Sequence, residues 1–167
     1  MSSLCERLDR ARFDLSFAPS VELVSFVRRA VIAFYERVLD DLDATSRLEV
    51  ATHELLENAV KYSADGLTSL HIDVARDHGN ALVSIVTENR ATDENIAVLR
   101  RMFDDFGKCP DAISHYRALM LATAEHQDGS QLGLGRVRAE AEMSLRYEFD
   151  GSTVRVHAQA RIQGEAP

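Results

Sequence analysis

The chain has 167 residues, 46% of them hydrophobic and 28% charged, a composition typical of one water-soluble globular domain with a substantial core. Its 27 acidic residues outnumber its 19 basic residues, and the formal net charge of -8 argues against nucleic-acid binding, because affinity for a phosphate backbone depends on Lys and Arg. The two cysteines lie far apart, no segment has the roughly 20 apolar residues of a membrane span, and the N-terminus lacks an apolar signal core. We therefore expect a cytoplasmic protein with reduced thiols and one domain over residues 1–167, ordered over about 13–160.

The N-terminal part of the chain predicts one strand followed by one long helix. Apolar and polar residues alternate over residues 13–17, a pattern typical of a short, half-buried strand. From residue 20 to residue 42 the apolar residues recur at helical spacing, so we predict an amphipathic helix with Ser20 as its N-cap. The residues that define its apolar face are Val24, Val27, Val31, Phe34, Tyr35, Val38 and Leu42.

A second helix is predicted directly after the first. Thr45-Ser46 and the Glu49 that follows resemble a capping box, which marks the start of a helix. We expect this helix to run to about Tyr62.

The remainder of the chain predicts two hairpins with helices between them. Alternating apolar residues around a turn signal predict a hairpin over residues 70–86, in which the second strand ends at Val86. Residues 92–126 have a helical pattern in two pieces, and a Gly-rich loop over residues 128–135 then leads into a short helix. Two alternating segments around a turn close the chain with a hairpin over residues 145–158. Helices grouped against a mostly antiparallel sheet predict an α+β fold, a two-layer α/β sandwich.

The second helix carries one polar stripe that could support chemistry. Glu54, Asn58 and Lys61 are spaced i, i+4 and i+7, so they share one helix face. An amide oxygen is a hard ligand suited to Mg²⁺, a carboxylate can orient a proton, and an ammonium can meet a phosphate. The same spacing is also compatible with an ordinary exposed face that contains a Glu57–Lys61 ion pair.

The sequence Glu-Leu-x-x-Asn-Ala-x-Lys-Tyr, which begins at Glu54, resembles the N box of the GHKL ATPase superfamily, the histidine-kinase-like proteins with the Bergerat ATP-binding fold. In that family the asparagine binds Mg²⁺ and the glutamate is the candidate base. The resemblance therefore implies a metal-binding and nucleotide-binding role for Asn58, a catalytic role for Glu54, and a phosphate contact for Lys61.

Gly133-Leu134-Gly135 resembles the second glycine box of the same family, a flexible lid over the phosphates. Glycines let backbone N–H groups approach phosphate oxygens, and the N-terminus of a following helix adds a favourable partial charge. Arg136, the next residue, could contact a phosphate or be an exposed residue at the start of the helix. Without the N box, a loop that binds no ligand would be the better interpretation of the same glycines.

The chain departs from the family pattern where an Asp-x-Gly-x-Gly box normally follows a strand. Residues 87–91 stand there and contain neither Asp nor Gly. Glu88 or Asn89 takes the place of the aspartate, and either side chain could form hydrogen bonds with a base. A missing first glycine box beside an intact N box resembles a divergent branch of short, stand-alone bacterial proteins, the anti-sigma-factor serine kinases.

This resemblance implies a regulatory protein that uses ATP and Mg²⁺ to phosphorylate a Ser or Thr of a small partner of the anti-sigma-antagonist type, in partner-switching signalling. The alternative is a catalytically inactive binding module of the same fold, which the missing box favours. ATP hydrolysis that opens a dimer is a third hypothesis, and the lack of a transducer domain counts against it. By analogy with the family, we expect a homodimer through the helix at 20–42 or the first strand.

Overall fold

The computed structural model describes residues 9–18, 21–39, 41–77, 79–125 and 132–163. In chain order the elements are β1 (Arg10–Phe17), α1 (Val21–Val38), α2 (Leu42–Lys61), β2 (Thr68–Asp77), β3 (Asn80–Arg90), α3 (Asp93–Lys108), α4 (Ala112–Glu125), α5 (Leu132–Ala139), β4 (Ser144–Asp150) and β5 (Thr153–Ile162). The predicted α+β class and the predicted order of elements are confirmed.

All five strands belong to one sheet, in the order β1-β2-β3-β5-β4. Every pairing among the described strands is antiparallel. The hairpins β2–β3 and β4–β5 lie side by side because β3 pairs with β5, from Ala81 opposite Ile162 to Arg90 opposite Thr153. β1 and β4 are therefore the two edge strands of the described sheet.

The helices cover one face of the sheet and leave the other face open. Along β3, buried residues alternate with more exposed ones, as expected for a strand with one covered face. α1 lies against β1, α2 lies against β2 and β3, α5 lies on α2, and α4 packs mainly against α5. The side chains that are most completely buried are Tyr35, Leu48, Leu55, Leu70, Ile72, Ile85, Met102, Leu134, Val27, Val74, Val83 and Val137. No helix in the described part of the chain is long and apolar enough to cross a membrane.

One polar pair lies inside this core, between α1 and α2. The Thr52 hydroxyl donates to the backbone oxygen of Leu48 at 2.7 Å, so the Tyr35 hydroxyl, 2.9 Å from Thr52 Oγ1, is the donor in that second bond. Tyr35 is fully buried, and burial raises the pKa of its phenol well above the usual value. The hydrogen bond to Thr52 satisfies the Tyr35 hydroxyl where no water can reach it.

The boundary between α1 and α2 differs from the prediction. α2 begins after Asp41, whose carboxylate accepts a hydrogen bond from the backbone N–H of Ala44 at 2.9 Å. The predicted capping box is wrong because Asp41 already caps the helix, and Thr45 is a buried residue within its first turns. α1 accordingly ends at Val38, earlier than predicted, while its predicted N-cap Ser20 lies outside the described residues.

β3 is longer than its apolar pattern predicts. The strand continues to Arg90 instead of ending at Val86. Its inward-facing positions Thr87 and Asn89 are polar but buried, at 1% and 6% exposure. The sequence pattern stopped at Val86 because these two polar residues interrupt the apolar alternation on the covered face.

Candidate functional site between α2, β3 and α5

The polar stripe of α2 faces α5. The Asn58 side-chain amide donates to the backbone oxygen of Glu54 at 2.8 Å, one turn earlier in the helix. This bond fixes the amide group and leaves the Asn58 side-chain oxygen without a partner among the described residues. The Glu54 side chain is only 17% exposed, although a free glutamate on a helix surface would be well solvated.

Gly133 brings α5 into direct contact with this stripe. A Cβ atom added at Gly133 would lie 2.6 Å from Glu54 Oε2 and 3.2 Å from Asn58 Nδ2, too close for any larger residue unless a neighbour moves. On the other side of α5, a Cβ at Gly135 would lie 3.0 Å from Leu119 and 3.3 Å from Tyr116, both on α4. The two glycines therefore let α5 fit closely between α2 and α4.

This placement corrects one sequence prediction. Gly133, Leu134 and Gly135 were expected in a loop, but they lie within α5. Residues 126–131, which cover the rest of the predicted loop, lie outside the described residues. Glycines allow the backbone to come close to a ligand, and they equally allow two helices to pack closely. The sequence alone does not distinguish these two reasons for the glycine spacing, so it indicated a lid over phosphates.

Arg136 connects α5 to the polar stripe of α2 through an ion pair. Its Nη1 lies 3.2 Å from Glu54 Oε1, and its Nε lies 2.7 Å from Glu140 Oε2 on the same helical side. The hydrogen bond to Glu140 is the main cause of a raised pKa at Arg136. Tyr116 lies beside this network, and burial followed by the nearby Glu140 charge raises the pKa of its phenol. Arg136 is thus held by two carboxylates, one of them the predicted catalytic Glu54.

Glu140 and Tyr116 were missed in the sequence. The i,i+4 spacing of Arg136 and Glu140 was a usable signal for an ion pair. Tyr116 gave no signal, because its contact with α5 depends on how α4 packs.

Lys61 is the last residue of α2. Its ammonium is 5.5 Å from the centre of the Tyr62 ring and has no carboxylate partner among the described residues. The Glu57–Lys61 pair that the sequence left open does not form in this structure. Glu57 Oε1 instead lies 3.2 Å from His53 Nε2. Lys61 is therefore a cation available to an anionic ligand at the end of the stripe.

The two residues predicted to replace the missing aspartate, Glu88 and Asn89, lie on opposite faces of β3. Consecutive residues of a strand point to opposite faces, so Glu88 lies on the open face, where it forms an ion pair with Arg155. Asn89 faces the helices and lines the same cavity as Asn58. Asn89 therefore shares a cavity with Asn58, whereas Glu88 lies on the opposite face of the sheet.

The cavity shared by Asn58 and Asn89 is small. Its volume is about 10 Å³, on the order of the space needed for one water molecule and far below that of a nucleotide. Leu134 of α5, which is 1% exposed, lines it together with Leu99 of α3. A nucleotide therefore does not fit in this cavity while α3 and α5 hold the positions that they have in this structure.

No protein-family model matches this sequence. A comparison with curated proteins likewise gives no significant match. Among solved structures, the fold is similar to a chain in the crystal structure of the SiaB–SiaC complex from Pseudomonas aeruginosa, with a TM-score of 0.56 over 90% of this chain and 89% of that chain. The two sequences are 16% identical. The likeness shows a shared fold.

Proposed function

We propose that this protein is a regulatory protein of the GHKL ATPase type, which binds Mg²⁺-ATP beside α2 and phosphorylates a Ser or Thr of a small protein partner. The observation that carries this proposal is the convergence of Asn58 and Asn89 on one cavity between α2 and β3. Glu54 lies next to Asn58 on the same helix, and Lys61 is available at its end. The two amides come from distant parts of the chain, so the shared cavity is independent of the N-box spacing that first indicated the site.

Each side chain has a role that its chemistry allows. Asn58 would hold Mg²⁺ through its unpartnered amide oxygen, and Lys61 would contact a phosphate. Asn89 would form hydrogen bonds with the edge of the base, and Glu54 would accept or orient the proton of the attacking hydroxyl. The described residues contain no group of three or more His, Cys, Asp and Glu side chains that could hold a metal ion. This donor set fits Mg²⁺, which in nucleotide sites is bound by few protein groups together with phosphates and water, and Mg²⁺ would supply charge neutralisation there.

Ligand binding would require α5 to move away from α2. The contact at Gly133 and the Arg136–Glu54 ion pair hold α5 against α2. Once Arg136 leaves Glu54, its guanidinium would be free to contact a phosphate, and the Glu54 carboxylate would be free for the attacking hydroxyl. The N-terminal turn of α5, with Gly133, Leu134 and Gly135, would then border the nucleotide.

The partner proposal rests on the fold comparison and the sequence resemblance together. The similar chain was solved in a complex of two different proteins, SiaB and SiaC. The N-box resemblance to anti-sigma-factor serine kinases points to a small partner of the anti-sigma-antagonist type. We therefore propose a phosphoacceptor protein of that type as the substrate.

The second candidate function is that of a binding module without catalysis. It is favoured by the cavity of about 10 Å³ and by the packing role of the two glycines, which account for much of the site without a nucleotide. In that case the affinity for the partner would not depend on ATP.

Calorimetric titration with ATP, with and without Mg²⁺, tests the proposal. Wild type should bind Mg²⁺-ATP with micromolar affinity, Asn58→Ala should lose binding, and Glu57→Ala, an exposed change on the same helix, should retain it. Because a ligand that binds only the folded state stabilises it, ATP at about 100 times its Kd should also add about 2.7 kcal/mol to the free energy of unfolding. No binding at millimolar ATP would establish the binding-module alternative, and unchanged binding by Asn58→Ala would place the nucleotide elsewhere.

A further inference from the structure

β4 is an edge strand with one unpaired side. It pairs with β5 and is the last strand of the described sheet. The outward-facing N–H and C=O groups of such an edge can pair with a strand from another chain. The open face of β4 carries charges of both signs, Arg146, Glu148 and Asp150.

The sequence of β4 is self-complementary about its central residue, Tyr147. In an antiparallel pairing of two copies centred on Tyr147, Arg146 of each copy lies opposite Glu148 of the other. The same register places Leu145 opposite Phe149, also twice. Two-fold symmetry therefore gives two ion pairs on the open face and a row of apolar and aromatic pairs on the covered face.

The charged residues of β4 are available for such pairing. Arg146 is exposed and has no partner among the described residues. The Glu148 side chain is 61% exposed, its Oε1 lies 3.6 Å from His157 Nε2, and Arg155, which lies opposite it in β5, is paired with Glu88. Pairing with a second copy would therefore form two new ion pairs without breaking a stronger one.

The covered side of β4 has an apolar surface next to its free edge. The Tyr147 ring centre lies 4.3 Å from that of Phe103 and 5.1 Å from that of Phe149. A shallow cleft of about 390 Å³ lies beside these rings, and Phe106 and Leu145 line it as well. A second copy centred on Tyr147 would bring its own Tyr147 to this aromatic group and reduce its exposure to water.

β1, the opposite edge, provides a contrast. Its sequence would also place Arg12 opposite Asp14 in a self-pairing, but both charges are already engaged within the chain. Arg12 Nε lies 3.1 Å from Asp73 Oδ2, and Asp14 Oδ1 lies 2.7 Å from His71 Nδ1. Dimerisation through β1 would compete with these ion pairs, whereas Arg146 of β4 has no partner among the described residues and can pair with a second copy.

We propose that two copies of this chain associate through β4, antiparallel and centred on Tyr147, to form one continuous sheet across the dimer. This interface replaces α1 and β1, the surfaces that analogy with the family indicated. It does not depend on nucleotide binding.

Sedimentation of the full chain with exchanged charges tests this interface. Wild type should be a dimer at micromolar concentration, and Arg146→Glu or Glu148→Arg alone should weaken the dimer at least tenfold, because each puts like charges opposite each other twice. The double variant Arg146→Glu/Glu148→Arg should restore the dimer. Arg12→Glu is the matched control and should leave the dimer unchanged.

A mixture of the two single variants gives the sharpest result. In the mixed dimer every new glutamate faces an arginine and every new arginine faces a glutamate, so the mixture should form heterodimers more tightly than either variant forms homodimers. Circular dichroism confirms that the variants are folded. A wild type that remains monomeric at millimolar concentration, a mixture that does not associate, or a dimer weakened by Arg12→Glu and not by Arg146→Glu would overturn the proposal.

Discussion

Replacing Gly133 by alanine tests whether α5 is in close contact with the polar stripe of α2. In an unobstructed helix, Gly→Ala stabilises by about 1 kcal/mol, since alanine loses less backbone entropy on folding. At Gly133 the new methyl would lie 2.6 Å from Glu54 Oε2, so the Glu54 carboxylate, which Arg136 holds at 3.2 Å, would have to move, and such a rearrangement in a packed site costs about 1–3 kcal/mol. The two terms give a net loss of about 1 kcal/mol. For a chain of this size, that loss corresponds to a fall of about 2–4 °C in the melting temperature.

Two further variants complete this experiment. Gly107→Ala is the matched control, because Gly107 is also helical and no atom lies within 4 Å of a Cβ added there. It should raise the free energy of unfolding by up to about 1 kcal/mol. In a Glu54→Ala background the obstructing carboxylate is absent, so the loss at Gly133→Ala should vanish or become a gain. Calorimetric melting of the four proteins and the double variant measures these differences. If Gly133→Ala, without a second substitution, stabilised the protein as much as Gly107→Ala does, that result would refute the close contact between α5 and Glu54.

Three other predictions concern the core and the helix ends. Tyr35→Phe should lower the free energy of unfolding by about 1–2 kcal/mol at pH 7, because it leaves the buried Thr52 hydroxyl without its donor, as denaturant titration can measure. The raised pKa of Tyr35 means that its contribution is complete below the unfolded pKa of about 10 and is lost as pH rises further, so the wild type should lose stability above pH 10 more steeply than Tyr35→Phe. Asp41→Ala should cost about 1 kcal/mol through loss of the α2 cap in the same titration, and an unchanged midpoint would contradict the capping role. Leu134→Ala should cost about 2–5 kcal/mol, and a much smaller value would show that α5 is loosely packed.

The order of elements was predictable because local apolar periodicity determines it. The hairpins β2–β3 and β4–β5 and the helices α1 to α3 each bury an apolar face, which short windows of sequence reveal. Boundaries were less predictable, because a polar residue can replace an apolar one without a change of structure. Asn89 is buried in β3, and Asp41 caps α2 ahead of the more obvious Thr45-Ser46 pair.

The candidate site was predictable only in part. The spacing of Glu54 and Asn58 on α2 is a local property, so the sequence revealed it. The choice between Glu88 and Asn89 depended on which of the two faces the helices, which the length of β3 determines. The contact of Gly133 with Glu54 is tertiary, because it depends on where α5 packs, and no local pattern encodes it.

The pairing of β3 with β5 also has a consequence for how the chain folds. Each hairpin joins strands that are close in sequence, but the hydrogen bond from Arg90 to Ser152, at the end of the seam between the hairpins, joins residues 62 positions apart. Closing so long a loop costs conformational entropy that the contacts within each hairpin do not offset. The hairpins should therefore form before β3 pairs with β5. Asn89 and Val154 face each other at that end of the seam, and both line the cavity beside Asn58. The cavity should therefore be among the last parts of the molecule to form during folding and should appear together with the docking of the second hairpin.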